Sequence, residues 1–273
     1  MTPADRGGRE RLHLTTTGHG PDVVLLHGIP GSADTWRAVA PALAAAGHRV
    51  TVAELLGFGA SPRPEGISAL WATAQATALA AALDAAGIAR ATVVGHDFGG
   101  AVALALLGAR PRLVGALGLV ATNAFADALV PLPIAAVRWP VIGPLAAAAL
   151  FSRPSLALML RQGRGASPDG PRAEHALGDA AQRRAIATVF AHALRELSER
   201  YAPLEEALRG YAGPALVAWG DRDPFFPVAQ GERTAGALAD GDLRVYASCG
   251  HYVPEERPRE LAADVAALAR RMT

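Results

Sequence analysis

Ten residues limit the fold of this chain more than any others: Ala91-Thr92-Val93-Val94-Gly95-His96-Asp97-Phe98-Gly99-Gly100. Thr92, Val93 and Val94 read as a short buried strand, and Val102, Leu104, Leu106 and Leu107 read as the helix that follows. Gly95 stands two residues before Asp97, with Gly99 and Gly100 just after it. Glycines so placed allow a sharp turn that strains the central residue and brings strand and helix close together. Such a turn presents Asp97 at the end of a strand. Capping of the helix by Asp97 is the plainer alternative.

Around that turn the chain alternates. Leu12 and Leu14 suggest an early edge strand, Val23 to Leu26 a buried one, His48 to Ala53 a third and Leu113 to Ala121 a fifth. Helices are expected over 33–46, where Trp36, Val39, Ala40 and Leu43 fall at helical spacing, and from a Ser68 cap to Ala86. Alternation of this kind means a parallel sheet with helices on both faces. It stops after Ala121. Residues from about Asn123 to Leu208 hold Pro-rich turns, a Gly-rich loop at Gly163–Gly170 and amphipathic helices, the clearest from Asp179 to Tyr201. Strand pattern returns at Ala215–Trp219 and Leu243–Ala247, and a closing helix runs from about Pro258 to Arg271.

The strand–turn–helix with Gly-His-Asp-x-Gly-Gly resembles the nucleophile elbow of α/β-hydrolases, in the branch of epoxide hydrolases and haloalkane dehalogenases. That resemblance implies a mostly parallel, doubly wound sheet with an inserted helical cap. It divides the chain into core (1–122), cap (123–208) and core (209–273). His27-Gly28-Ile29-Pro30 resembles the oxyanion turn of the same family. By that likeness the main-chain amides of Ile29 and Phe98 form the oxyanion hole, and the Ile29–Pro30 bond is cis. Ala53-Glu54 stands where the family usually has Pro-Asp, a small departure.

Nucleophile, acid and histidine occur in that order in this fold. Asp97, Asp223 and His251 obey it, each just past a predicted strand. Asp221 and Asp127 are rival acids. Serine at the elbow would attack acyl carbon, whereas a carboxylate attacking a carbonyl gives only an anhydride. A carboxylate suits an sp3 carbon bearing a leaving group. Epoxide opening is therefore the expected reaction, with dehalogenation and a non-hydrolytic tailoring step as alternatives. A ligand receptor on a hydrolase scaffold is the non-enzymatic alternative. The family's usual pair of cap tyrosines is missing, because only Tyr201 falls in the cap, so Tyr201 and His192 are the candidate acids. Phe98 replaces the indole that halide-expelling relatives carry after the nucleophile. His27 and His96 read as packed structural residues and Cys249 as a small buried filler.

Composition narrows the partners. A net charge of +1 excludes an electrostatic case for nucleic acid, and no metal-ligand spacing or dinucleotide glycine pattern appears, so no metal and no cofactor are expected. Met1 to Leu12 has no apolar core, and a single cysteine suits a reducing compartment, so a cytoplasmic location is expected. Residues 128–151 are apolar but broken by prolines and Arg138, which rules out a membrane span. They read as a buried segment lining a pocket, with contact at a membrane surface as the alternative. Trp36, Phe125 and Trp139 are expected in that pocket, favouring a hydrophobic small-molecule substrate unless Arg138, Arg153 or Arg161 points inward. The oligomeric state is left open, a homodimer included.

Overall fold

A computed structural model of the protein describes residues 11–64, 70–127, 132–139, 141–165 and 179–272. Seven strands form one sheet: β1 (Leu14–Thr17), β2 (Asp22–Leu26), β3 (Arg49–Ala53), β4 (Ala91–His96), β5 (Val114–Val120), β6 (Ala215–Gly220) and β7 (Gly241–Tyr246). Their spatial order is β1-β3-β2-β4-β5-β6-β7. Only β1 runs antiparallel, against β3; the others are parallel, so their C-terminal ends share one edge.

The helices are α1 (Val39–Ala45), α2 (Ala72–Ala85), α3 (Phe98–Ala109), α4 (Gly143–Leu150), α5 (Arg153–Gln162), α6 (Ala180–Arg195), α7 (Leu197–Gly210), α8 (Val228–Ala237) and α9 (Pro258–Arg270). One-turn segments at Leu132–Ala135 and Val253–Glu256 complete the described regular structure, with 3-10 turns at Ala33–Trp36 and Ala136–Arg138. Strand periodicity assigns the core. In β2, Val24 and Leu26 face one cluster with Val93, Leu117 and Trp219, while Val23 and Leu25 face a second with Val50, Val94 and Val120. Helices α2 and α3 cover the first face, α1 and α9 the second.

Several expectations are corrected. The helix over 33–46 is two pieces, a 3-10 turn to Trp36 and then α1. The cause is Pro41: in one continuous helix its ring would strike the carbonyl of Arg37, whereas the break places it in the first turn of α1. Helix α2 starts at Ala72 with Trp71 at its N-cap, and Ser68 lies outside the described residues. The long helix from Asp179 is divided at Glu196, whose ψ of 35° leaves the helical range, and α7 runs on through Pro203 to Gly210. The expected buried segment 128–151 is buried only in part: Ala135, Val137, Ala147 and Phe151 are buried, Trp139, Val141, Ile142 and Leu145 are exposed, and 128–131 and 140 lie outside the described residues. No helix among the described residues is long and apolar enough to cross a membrane.

Between β5 and β6 the described residues are helical or irregular, without a strand. This insertion returns to the sheet through α7, which packs on α3.

Candidate active site

Asp97 sits between β4 and α3 with φ +49° and ψ −119°. A non-glycine residue there is strained, and its surroundings hold it in place. Its amide donates to the Val120 carbonyl at 3.0 Å, and its carbonyl accepts from Gly100 N (3.0 Å) and Thr122 Oγ1 (2.6 Å). A Cβ on Gly95 would collide with the Gly99 backbone, and one on Gly99 with the Leu26 and His27 carbonyls. The glycines thus allow strand and helix to close on each other. Ala121 and Ser248 are the other described non-glycine residues at positive φ. Both lie just past strand ends at the same edge of the sheet, so backbone strain concentrates around Asp97.

The Asp97 carboxylate is clasped by main chain. Ile29 N donates to Oδ1 at 2.7 Å, and the Phe98 amide also hydrogen-bonds the carboxylate. Ile29 precedes a cis peptide bond to Pro30. Burial raises the Asp97 carboxyl; His251 and these two amides oppose the rise without cancelling it.

His251 follows β7. Its Nε2 lies 3.8 Å from Asp97 Oδ2, too far for a hydrogen bond, and its Nδ1 lies 2.8 Å from Asp223 Oδ2. The second Asp223 oxygen accepts from Phe225 N (2.8 Å) and Phe226 N (3.0 Å). Burial disfavours the Asp223 anion, but the His251 partner and these amides outweigh it and hold the carboxyl below its ordinary value. Burial also disfavours the imidazolium, yet Asp223 and then Asp97 outweigh it and raise His251. Phe225, Phe226 and Tyr252 pack edge-on around the imidazole, with ring centroids 5.2, 5.6 and 5.2 Å away. The rivals have other partners. Asp221 accepts from Cys249 N at 3.0 Å, and Asp127 is exposed and ion-paired with Arg233 at 2.6 Å.

The neighbouring histidines are structural in their contacts. His27 Nδ1 lies 2.9 Å from Gly28 O, while Nε2 accepts from Leu55 N at 3.1 Å, which sets a neutral tautomer. His96 Nε2 lies 3.0 Å from the His251 carbonyl, and burial with the nearby His251 lowers its pKa to about 3. Cys249 is buried, and burial pushes its thiol up to about 12, so it carries no thiolate near neutrality.

A cavity of about 90 Å³ opens over Asp97, lined by Ile29, Trp71, Phe98, Asn123, Phe226 and, from the insertion, Val189, Phe190 and Tyr201. Tyr201 is therefore brought to Asp97. Burial, then the Asp97 charge, pushes its hydroxyl up against a hydrogen bond from Asn123, so it stays protonated. Asn123 is itself braced, its Oδ1 accepting from Phe125 N (3.1 Å) and Gln230 Nε2 (3.2 Å). His192 is on α6, and its side chain lies outside the described residues.

None of the three expected pocket aromatics lines the cavity. Trp36 is fully buried in the cluster on the opposite face of the sheet. Phe125 is buried beneath the Arg233 guanidinium, 3.7 Å from its ring centroid. Trp139 is 49% exposed. Sequence reasoning missed Trp71, Asn123, Val189, Phe190 and Phe226. Asn123 and Phe226 had a usable signal, since each lies within a few residues of a strand end at the edge that carries Asp97. Among the described residues no group of His, Cys, Asp and Glu could hold a metal ion.

The α/β hydrolase fold family matches residues 21–258. A 2-hydroxy-6-oxononadienedioate/2-hydroxy-6-oxononatrienedioate hydrolase from Paraburkholderia xenovorans is 29% identical over 265 residues, spanning 91% of this chain and 87% of that protein. An epoxide hydrolase from Caballeronia sordidicola is 39% identical over 88 residues, 32% of this chain and 27% of its own length. The solved structure of a haloalkane dehalogenase loop variant from Bradyrhizobium elkanii has the same fold, with a TM-score of 0.78 at 22% identity, covering 96% of this chain and 93% of that one.

Proposed function

Because the chain belongs to the α/β-hydrolase fold family, we propose that it hydrolyses an epoxide, or a similarly electrophilic sp3 carbon, through an ester formed on Asp97. The observation that carries this reading is a carboxylate at the elbow with one oxygen clasped by the Ile29 amide at 2.7 Å. Oδ1 is thereby occupied, and Oδ2 is the attacking oxygen. It bonds to a ring carbon as the carbon–oxygen bond of the epoxide breaks. The departing oxygen takes its proton from Tyr201, which lines the same cavity.

The hydroxyalkyl ester is then cleaved by water. His251 Nε2 removes a proton from the water, which attacks Asp97 Cγ. Negative charge develops on the carboxyl oxygen that the Ile29 amide already holds, Oδ1, with the Phe98 amide favouring the same negative charge. Collapse breaks the ester carbon–oxygen bond, releases a diol and restores the carboxylate, and the proton that His251 took from water returns to the Tyr201 oxygen. Asp223 holds the imidazole and stabilises the imidazolium. Asp223 raises His251 and still does so once Asp97 is esterified, so the base form grows with pH and ester cleavage should rise as pH increases.

The insertion, residues 123–208, serves as the cap: Val189, Phe190 and Tyr201 close the cavity and exclude water. No cationic side chain lines that cavity among the described residues, which suits an apolar substrate better than the dioates in the names of the full-length relatives. Its volume of about 90 Å³ favours a compact molecule over a polycyclic one. Dehalogenation keeps one supporting observation, the Trp71 indole in the cavity wall, because indole N–H is a donor to halide.

The experiment is a panel of small apolar epoxides, alkyl halides and carboxylic esters, with products identified. Diol formation from an epoxide, outpacing halide release and ester cleavage, is the expected result. Faster ester or carbon–carbon hydrolysis would overturn the assignment.

A further inference from the structure

The insertion has an outer face that the cavity does not use. Between Asp127 and Asp169 the sequence contains Arg138, Arg153, Arg161 and Arg164 and no acidic residue, although the whole chain balances to +1. Arg138, Arg153 and Arg161 are exposed, and among the described residues none of these three is ion-paired. Large apolar side chains are exposed in the same stretch of chain: Val141 is 84% exposed and Leu145 74%, and Trp139 and Ile142 are about half exposed. Outside the insertion, Val245 alone among the described large hydrophobics is comparably exposed.

The patch has a fixed geometry. Gly143 N donates to the Trp139 carbonyl at 2.8 Å and Ala146 N to the Ile142 carbonyl at 2.8 Å, so the turn runs straight into α4. Leu145 follows Val141 by four residues and Ile142 by three, the spacing of one helical face. Behind it, α6 packs against both α4 and the Ala136–Arg138 turn, and α6 also brings Val189 and Phe190 to the cavity.

We propose that this face docks on an anionic lipid bilayer, with Trp139, Val141 and Leu145 among the headgroups and Arg138, Arg153 and Arg161 against lipid phosphates. Exposed apolar side chains in a stretch whose only charged residues are arginine match an interfacial membrane contact, in which apolar burial and attraction to anionic lipid add. A second copy fits less well, because a two-fold interface sets the patch against itself and arginine against arginine. The docking does not depend on the reaction proposed above.

Vesicle flotation tests it, using phosphatidylglycerol/phosphatidylcholine vesicles, pure phosphatidylcholine vesicles, and low or high salt. The protein should float with the anionic vesicles at low salt. Binding should fall on the order of tenfold with pure phosphatidylcholine or at high salt. A similar fall is expected for Val141→Asp/Leu145→Asp and for Arg138→Glu/Arg153→Glu, both with wild-type circular dichroism. Failure to float with anionic vesicles, or equal flotation by the variants, would overturn the proposal. So would a dimer without vesicles that Val141→Asp/Leu145→Asp converts to monomer, since a second copy would then cover the face.

Discussion

The sheet edge and the helical insertion both contribute to the cavity, but they are built under different constraints. At the edge, Asp97 and Asp223 follow β4 and β6, which are paired on both sides and buried throughout, and His251 follows the outer strand β7, which is held by its pairing with β6. A strand fixes where its last residue ends, so a catalytic group just beyond it is placed within narrow limits. The insertion has no such frame. Its helices pair with no strand, although single hydrogen bonds such as His251 N to the Gly163 carbonyl (2.7 Å) tie it to the core, and a helix can turn its apolar stripe toward the cavity, the core or the outer surface. Geometry at the edge is therefore a property of the backbone, while in the insertion it depends on which side chains find partners.

The largest effect should come from the edge. Asp97→Ala should lower kcat/KM for the true substrate by about 10^4-fold or more, as removal of a covalent nucleophile does. Folding should persist, because burial already disfavours the Asp97 anion. With its carboxyl raised in the native state, Asp97 costs stability above its unfolded value, and that cost fades as pH falls. Urea melts of the variant should thus show equal or higher stability near neutral pH. Retained turnover would erase the distinction drawn between the two regions.

Trp36 sharpens the comparison, because the sequence suggested a cavity residue and the structure places a core one. Trp36→Ala should cost about 3–5 kcal/mol in a denaturant melt, the usual range for a buried aromatic, with KM little changed in the folded fraction. A large KM effect without loss of stability would return it to the site.

In the insertion the effects shrink. Tyr201→Phe should slow epoxide opening on the order of 10–100-fold, with halide displacement nearly unaffected, because a halide needs no proton. Steady-state rates on a matched epoxide and alkyl bromide would check this. If both fall equally, Tyr201 shapes the cavity and donates nothing. Trp139→Ala should change kcat/KM on a water-soluble substrate by no more than about twofold, as expected for a half-exposed side chain away from the cavity.

The same contrast explains what could be read from the sequence. The sheet, the elbow and the Asp223–His251 pair were legible because each rests on local signals: apolar runs, glycines at fixed offsets and polar residues at strand ends, while the cis Ile29–Pro30 bond was expected only from the family likeness of its turn. Chain order does not separate Asp223 from Asp221, since both lie between Asp97 and His251; in the structure it is Asp223 Oδ2 that lies 2.8 Å from His251 Nδ1. The cavity wall was not legible. Trp71, Val189 and Phe190 are ordinary apolar residues on helices, and periodicity states that they are buried without stating against what. Trp139 lies in an apolar run, and nothing local distinguishes an outward face from an inward one. The division of the long helix at Glu196 has no sequence mark either, since neither Gly nor Pro stands there.

The central claim is that Asp97 forms an ester which His251 then clears. It is tested most directly by weighing His251→Gln intact after incubation with a small apolar epoxide. Attack by Asp97 requires no proton to be removed, whereas release requires an activated water, and His251 is the base placed beside Asp97 Oδ2 at 3.8 Å. The account predicts one adduct per chain, heavier by the mass of the epoxide, that maps to Asp97 and persists. An unmodified protein that still produces diol would contradict it, and so would an adduct on any other residue.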